Sequence, residues 1–280
     1  KLMSHKTSID LERHRADLTA VLREIIAKPA LDKQELDRLV KSHAKRSGSK
    51  IFSRDELIRA YREFAGTDGL PPLDAGVIQR LRMKPVRTSS GVTPVTVLTK
   101  PFPCPGECIF CPNDVRMPKS YLSDEPGAQR AEQNSFDPYL QTMSRLTAYY
   151  NTGHPTDKIE VIILGGTWSF YPETYQIWFV KRIFDALHDF GAGINRSGEV
   201  EAALREMSQL HPARNTVNVT IMGEALAEAE TQNYNAVVQR VYKDEMRRSR
   251  ELAAQVAGAG ERSPVTEYAT WDELEAAHRF

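Results

Sequence analysis

The chain has 280 residues, of which 41% are hydrophobic and 26% charged, and its mean hydropathy is −0.46. No apolar run approaches the ~18–20 residues of a membrane span, and we expect neither a secretion signal nor membrane association, but a soluble, cytoplasmic protein. Basic and acidic residues balance at 37 each, yet residues 1–103 hold 20 basic against 12 acidic ones. This asymmetry favours contact with a polyanion such as nucleic acid, unless the charges simply lie on solvated helices.

The first third of the chain is predicted to be helical. Leu18, Val21, Leu22 and Ile25 follow the i, i+3, i+4, i+7 spacing of one helical face. Asp32 with Glu35, and Ser53 with Glu56, each match a capping box at the start of an amphipathic helix. A breaker-rich stretch over residues 66–76 follows. We therefore expect a small basic all-α segment over residues 1–76, with no catalytic signature of its own.

Residues 77–280 are predicted to form an α/β domain. The apolar segment Val92–Leu98 reads as a strand that leads into a cysteine-rich loop, and Asp137-Pro138 pairs an N-cap with a proline that opens a helix. The run Val161–Leu164 is typical of a strand covered on both faces, and it ends in Gly165-Gly166-Thr167. This order of elements is typical of a parallel α/β barrel or sheet.

The later part of the chain is less regular. A helix is predicted from about Glu173 to His188, an alternating strand over Thr216–Ile221, helix over residues 224–257 and a capped helix from Thr270. Two clear strands do not make a stable sheet alone. We therefore expect the chain to be the front part of a longer protein.

All three cysteines lie within eight residues, at Cys104, Cys108 and Cys111. A structural zinc site usually has four ligands, and the nearest histidine in sequence is His154. Three thiolates can instead hold three irons of a [4Fe–4S] cluster and leave the fourth open. A Cys₃ zinc site completed by a distant residue is the alternative.

The CxxxCxxC spacing, with Phe110 before the last cysteine, resembles the cluster loop of radical S-adenosylmethionine (SAM) enzymes. The resemblance implies a partial (β/α)6 barrel, incomplete in this chain. It also implies that SAM binds the open iron and is cleaved to a 5′-deoxyadenosyl radical. Phe110 would then help to seat the adenine, and Gly165, Gly166 and Thr167 would approach the methionyl group.

Longer stretches carry a closer resemblance: SSGVTPVTVLTKPFPCPGECIFCP, YLSDEPGAQRAEQNSFDPYLQ and GHPTDKIEVIILGGTW. Over residues ~80–190 the chain resembles the catalytic subunit of Elongator in its stand-alone bacterial and archaeal form. That resemblance implies an enzyme that carboxymethylates C5 of the wobble uridine in tRNA anticodons, using acetyl-CoA. It implies tRNA as the partner, leaves a homodimer open, and assigns the basic N-terminal region to tRNA binding.

The same resemblance suggests roles for several basic residues. Lys158 matches a lysine associated with acetyl-CoA, unless it is an ordinary surface lysine before a strand. Lys84 and Arg87 are candidates for phosphate contact, and could equally be a solvated basic turn. Arg116 and Lys119, with Arg130, could line the entrance for RNA or could pair with Asp114, Asp124 and Glu125.

The chain also departs from the family. The next barrel strand and the C-terminal acetyltransferase domain are not present in this sequence, and residues 190–265 do not resemble the family. We therefore expect residues 1–280 not to complete the reaction alone. Two other functions stay open: a different radical-SAM enzyme that modifies RNA, and a zinc-stapled RNA-binding module.

Overall fold

The computed structural model describes residues 9–84, 91–210, 233–240 and 263–279. Its regular elements, in chain order, are α1 (Arg15–Ile26), α2 (Lys33–Ser47), α3 (Arg54–Phe64), α4 (Ala75–Leu81), β1 (Thr93–Leu98), α5 (Pro126–Gln133), α6 (Pro138–Asn151), β2 (Ile159–Leu164), a 3₁₀ turn (Trp168–Phe170), α7 (Glu173–Gly191), α8 (Ser197–Leu210) and α9 (Trp271–His278). Residues 234–240 are also helical. The predicted strand at Thr216–Ile221 and most of the helix predicted over 224–257 lie outside the described residues.

The chain divides into two compact units. Among the described residues, the helical unit comprises those of Met3–Thr93 and Leu146–Glu160, and the cysteine unit comprises those of Pro94–Arg145 and Val161–Phe280. Both strands and α6 contribute residues to each unit. Within the described residues, no helix combines the length and the apolar character that a membrane span requires.

The helical unit is built around one apolar core. The predicted face of α1 is buried there with side chains of α2, α3 and α4, among them Leu36, Leu57, Tyr61 and Leu81. Both predicted capping boxes are confirmed, because the backbone N–H groups of Asp32 and Ser53 donate to Glu35 and Glu56. Local sequence therefore sets where these helices begin, and burial of their apolar faces holds them together.

The last part of α6, from Leu146, and the segment after it are part of the helical unit as well. The Arg62 guanidinium lies 3.6 Å from the centroid of the Tyr150 ring and also donates a hydrogen bond to the Tyr150 carbonyl. Gly153 has a positive φ of 79° and packs against Ile58 and Ile78, where a β-carbon would lie 3.2 Å and 3.0 Å from their methyl carbons. The sharp turn that leads from α6 towards β2 therefore requires glycine.

The sheet consists of β1 and β2 in the described structure. Thr93 N–H donates to the Lys158 carbonyl and Thr99 N–H to the Leu164 carbonyl, both at 2.8 Å. Because both partners advance by six residues, the strands are parallel. The structure thus confirms a mixed α/β chain, mostly helical, with a small parallel sheet.

The two strands differ in how they are covered. On the outer edge of β1, the Gln141 amide accepts from Leu98 N–H and donates to the Leu98 carbonyl, both at 2.9 Å, which replaces a neighbouring strand at that point. In β2, by contrast, Glu160, Val161 and Ile162 are exposed. The prediction that β2 is covered on both faces is therefore wrong. An apolar run predicts a strand that would be stabilised by burial, but it does not show whether other elements of the chain pack against that strand.

Candidate functional site

The cysteine loop follows the carboxyl end of β1, where parallel α/β folds place their chemistry. All three cysteines are free thiols; Cys108 is exposed, and Cys104 and Cys111 are half-buried. A β-carbon placed on Gly106 would lie 3.5 Å from Sγ of Cys108 and 3.9 Å from Sγ of Cys104. Gly106 therefore leaves open the space that these two thiols share.

This geometry bears on the kind of metal group that could bind. In the described part of the chain, no three His, Cys, Asp or Glu side chains are grouped so that they could hold one metal ion. A zinc ion needs all its sulfur ligands at about 2.3 Å from a single point. In an iron–sulfur cluster each thiolate binds a different iron, so the thiols can stand further apart. Three thiols on one short loop are the ligand type that iron–sulfur clusters use.

Two hydroxyl groups lie against the thiols. Cys104 Sγ is 3.3 Å from Oγ1 of Thr167, and Cys111 Sγ is 3.2 Å from Oγ of Ser120. Burial raises the pKa of the Cys104 thiol, but hydrogen bonds from Thr167 and Gly106 and the positive charge of Lys119 outweigh burial and lower its pKa overall. These contacts favour the thiolate, which is the form that binds metal.

Lys119 lies beneath this loop rather than on its surface. Its side chain is buried, and the ammonium donates to Asn113 Oδ1 at 3.0 Å and to the Pro112 carbonyl at 3.4 Å. The same ammonium lies 4.6 Å from the centroid of the Tyr234 ring. In this position Lys119 supports the end of the cysteine loop and supplies positive charge close to Cys104.

The glycine turn after β2 meets the loop after β1. A β-carbon on Gly165 would lie 1.9 Å from Oγ1 of Thr99, so a side chain does not fit there. A β-carbon on Gly166 would lie 3.6 Å from Cβ of Lys119, which is an ordinary contact distance. The structure therefore brings Gly165, Gly166 and Thr167 to the same sheet edge as Cys104.

Phe110 lies at the tip of the loop, between the second and third cysteines. Its side chain is 94% exposed, and that of the neighbouring Ile109 is 89% exposed. Two exposed apolar side chains in sequence form a surface that a ligand or partner could cover.

The predicted RNA-contacting arginine near the loop has a partner within the chain. Arg116 forms a two-point ion pair with Asp114, with Nε–Oδ1 at 2.9 Å and Nη2–Oδ2 at 2.8 Å. Burial alone raises the pKa of Asp114, but the hydrogen bonds from Arg116 and Ser123 lower it overall. The pairing that sequence analysis gave as the alternative for Arg116 is therefore present.

Two other predicted basic residues, Lys84 and Lys158, belong to the helical unit, whereas Arg130 belongs to the cysteine unit. Lys158 and Lys84 are exposed, and the Lys158 carbonyl accepts from Thr93 N–H at the start of the sheet. Arg87 lies outside the described residues.

A concave site of about 630 Å³ lies between α7 and α9 and contains none of the predicted site residues. Among its charged side chains, Lys181 and Arg182 pair with Asp185, and Arg196 pairs with Asp189.

Residues from a distant part of the sequence hold Cys104, and no sequence pattern predicts this contact. Cys104 N–H donates to Asn235 Oδ1 at 2.8 Å, and Asn235 Nδ2 donates to the Cys104 carbonyl at 2.7 Å. The neighbouring Tyr234 is buried, and its hydroxyl donates to the Met117 carbonyl at 2.8 Å. The signal in the sequence was the polar-aromatic triplet Asn233-Tyr234-Asn235, which has no periodicity to indicate a role.

Comparison with known proteins gives a partial match. No protein-family model matches the chain. Over 119 residues the chain is 49% identical to the tRNA uridine(34) acetyltransferase of Methanocaldococcus infernus, which covers 40% of this chain and 22% of that protein. Over 107 residues it is 49% identical to the protein of the same name from Dehalococcoides mccartyi, covering 38% and 23%. Elongator complex protein 3 of Drosophila melanogaster is 32% identical over 171 residues, covering 54% and 31%.

The resemblance to the Elongator catalytic subunit is confirmed for the matched part of the chain. In each of these relatives the match covers less than a third of the protein. The similarity thus concerns an Elongator-type segment, and the activity of the whole protein belongs to the proposal below.

Proposed function

We propose that this chain is the cluster-bearing part of a tRNA-modifying acyltransferase. Its reaction would carboxymethylate C5 of the wobble uridine, with acetyl-CoA as the source of the added group. The proposal rests on a loop with three free thiols. It also rests on the 49% sequence identity, over the matched part of the chain, to proteins named tRNA uridine(34) acetyltransferase. A tRNA substrate would place the reaction in the cytoplasm.

We assign the cluster to the cysteine loop, with Cys104, Cys108 and Cys111 as ligands to a [4Fe–4S] cluster. When bound there, the cluster and SAM would supply the one-electron chemistry needed to activate an unreactive C–H bond. The small sheet would then be part of a radical-SAM partial (β/α)6 barrel, in agreement with the parallel β1 and β2 and with cysteine and glycine loops at the same edge.

The residues of the chain would prepare and shape this site. Thr167 and Lys119 favour the Cys104 thiolate before metal arrives. Gly166 presents backbone without a side chain, which allows close approach of a ligand. The exposed Phe110 ring offers a flat apolar face for the adenine of SAM.

The helical unit would provide the contacts to tRNA. Lys84 is exposed, and Arg87 follows three positions later in the sequence, so both are proposed to contact phosphate. Lys158 is also exposed, and its ammonium is proposed to bind acetyl-CoA through phosphate or the thioester carbonyl. The base itself would be read as an unstacked nucleotide of the anticodon loop.

The experiment that tests the proposal is anaerobic reconstitution with iron and sulfide, followed by electron paramagnetic resonance of the reduced protein. We expect a cluster signal that shifts when SAM is added and that is lost in Cys108→Ala. Stoichiometric zinc with no such signal would refute the radical mechanism and favour the zinc-stapled RNA-binding module. A cluster that shifts with SAM but gives no acetyl-CoA-dependent product on tRNA in the longer protein would favour a different radical-SAM reaction.

A further inference from the structure

The cysteine loop is held by a short segment far away in sequence, the triplet Asn233-Tyr234-Asn235. Asn235 is 131 residues from Cys104, yet its side-chain amide makes both hydrogen bonds to the Cys104 backbone, at 2.8 and 2.7 Å. These two bonds pair the residue as a neighbouring strand would. They fix the N–H and the carbonyl of a residue that has proline on both sides.

Two further contacts attach the same triplet to other points of the loop. Asn233 Nδ2 donates to Glu107 Oε1 at 2.7 Å, and Asn233 Oδ1 accepts from the N–H of Asn235 at 2.8 Å, which orients Asn235. The Tyr234 hydroxyl donates to the Met117 carbonyl. The triplet therefore contacts the loop at the first cysteine, between the first and second cysteines, and after the third.

The triplet is itself firmly anchored. Tyr234 is 1% exposed and packs beneath the Lys119 ammonium, and the helical residues that follow bury Val237 and Val238 completely. A positioning group must be held by packing if it is to fix another residue. Asn235 satisfies this requirement, because it lies in the first turn of a helical segment, between the buried Tyr234 and the buried Val237 and Val238.

We propose that Asn235 is a positioning residue that fixes the Cys104 thiol for cluster binding, and that residues 233–235 form a clamp on the loop. This role rests on the proposed function, because a clamp on Cys104 matters to the reaction only if Cys104 binds iron. The clamp acts on the backbone, and it leaves the thiol free to bind metal.

The test uses the full chain and begins without metal. Pro103 and Pro105 have no backbone N–H, so the Cys104 amide can be isolated in hydrogen exchange measured on short peptides. In Asn235→Leu, which preserves volume but removes both hydrogen bonds, we expect the Cys104 amide to exchange on the order of tenfold faster. The Leu98 amide, which is bonded to Gln141, should be unchanged. The matched control is Gln239→Leu, at an exposed site of the same helical segment.

The second readout uses reconstituted protein. We expect Asn235→Leu to lose iron to a chelator on the order of tenfold faster than the parent chain, because one of three ligands is no longer held. If Asn235→Leu does not fold, Asn235→Ala also removes both hydrogen bonds and adds no bulk, so faster exchange at Cys104 still tests the clamp.

The outcomes separate the two ideas. Unchanged exchange at Cys104, or equal acceleration at Cys104 and Leu98, would overturn the clamp, whether or not the parent chain binds iron. Local acceleration with faster iron loss would support it. If exchange at Cys104 is faster in Asn235→Leu but the parent chain takes up no cluster, the proposed function is rejected, and with it the role of Asn235 in cluster binding.

Discussion

Gly165 and Thr99 meet so closely that a side chain at position 165 would overlap the threonine hydroxyl, with Cβ only 1.9 Å from Oγ1. The hydroxyl is not free to move, because it donates to Tyr171 at 2.8 Å and the Tyr171 hydroxyl in turn donates to the Lys100 carbonyl. Burial raises the pKa of Tyr171, so the tyrosine keeps its proton and continues to donate. This chain of hydrogen bonds locks the turn after β2 to the end of β1.

We expect Gly165→Ala to destabilise the protein by about 1–3 kcal/mol, the usual effect of an overpacked site. Gly166→Ala is the matched control, because its methyl group would meet Lys119 at 3.6 Å without overlap. The free energy of unfolding of Gly166→Ala should change by less than about 0.5 kcal/mol. Denaturant unfolding of both variants makes the comparison, and equal losses of stability would contradict the close contact.

A second prediction concerns Glu56 and pH. Burial raises the pKa of Glu56, but the ion pair with Lys50 and the hydrogen bonds from Ser53 outweigh burial and lower it below 4.5. A lowered folded-state pKa stabilises the fold above the unfolded-state pKa, and this stabilisation disappears as pH falls through the folded-state value. We therefore expect Glu56→Gln to cost about 1 kcal/mol at pH 7 and progressively less below pH 4.

Thermal unfolding from pH 3 to pH 7 measures this difference. Glu63→Gln is the control, since Glu63 lies on the same helix but is exposed. A cost of Glu56→Gln that stays constant across the pH range would show that the lost group is not an ionised carboxylate.

A third prediction concerns the Arg62–Tyr150 contact. Burial lowers the pKa of Arg62. The guanidinium carbon lies over the Tyr150 ring, 3.6 Å from the ring centroid. A lysine cannot stack in this way. We expect Arg62→Lys to destabilise the helical unit by about 1–2 kcal/mol, while Arg59→Lys, at a half-buried site on the same helix, has a smaller effect. Hydrogen exchange in α3 and at residues 146–160 reports the change, and a loss confined to α3 would argue against the contact.

A fourth prediction separates two lysines that sequence analysis grouped as RNA contacts. Lys84 is exposed, whereas the Lys119 ammonium is buried and donates to Asn113 and Pro112. We expect Lys84→Gln to reduce the slope of log affinity for tRNA against log salt by about 1, since one phosphate contact is lost. Lys119→Gln should leave the slope unchanged. Filter binding at several salt concentrations measures both slopes. A reduced slope for Lys119→Gln would show that the Lys119 ammonium contacts the RNA.

The parts of the fold that sequence predicts well are those determined by neighbouring residues. The face of α1, the capping boxes at Asp32 and Ser53, and the start of α9 at Thr270 depend on groups within a few positions, and all are present. The cysteine spacing likewise predicts a common loop. The clamp by Asn235 could not be predicted, because its partner is 131 residues away and a single asparagine has no pattern. The exposure of β2 was not predicted, because burial of a strand depends on which distant elements of the chain pack against it.

The hydrogen bonds between Asn235 and Cys104 can form only after Asn235 has been translated. When Cys111 leaves the ribosome all three thiols are available, but the backbone partner of Cys104 has not yet been made. At about 5–20 residues per second, the 131 residues that separate Asn235 from Cys104 take roughly 7–26 seconds to translate. During that interval the nascent thiols are open to oxidation and to stray metal ions, and the loop reaches its held form only when the far segment has emerged and folded against it.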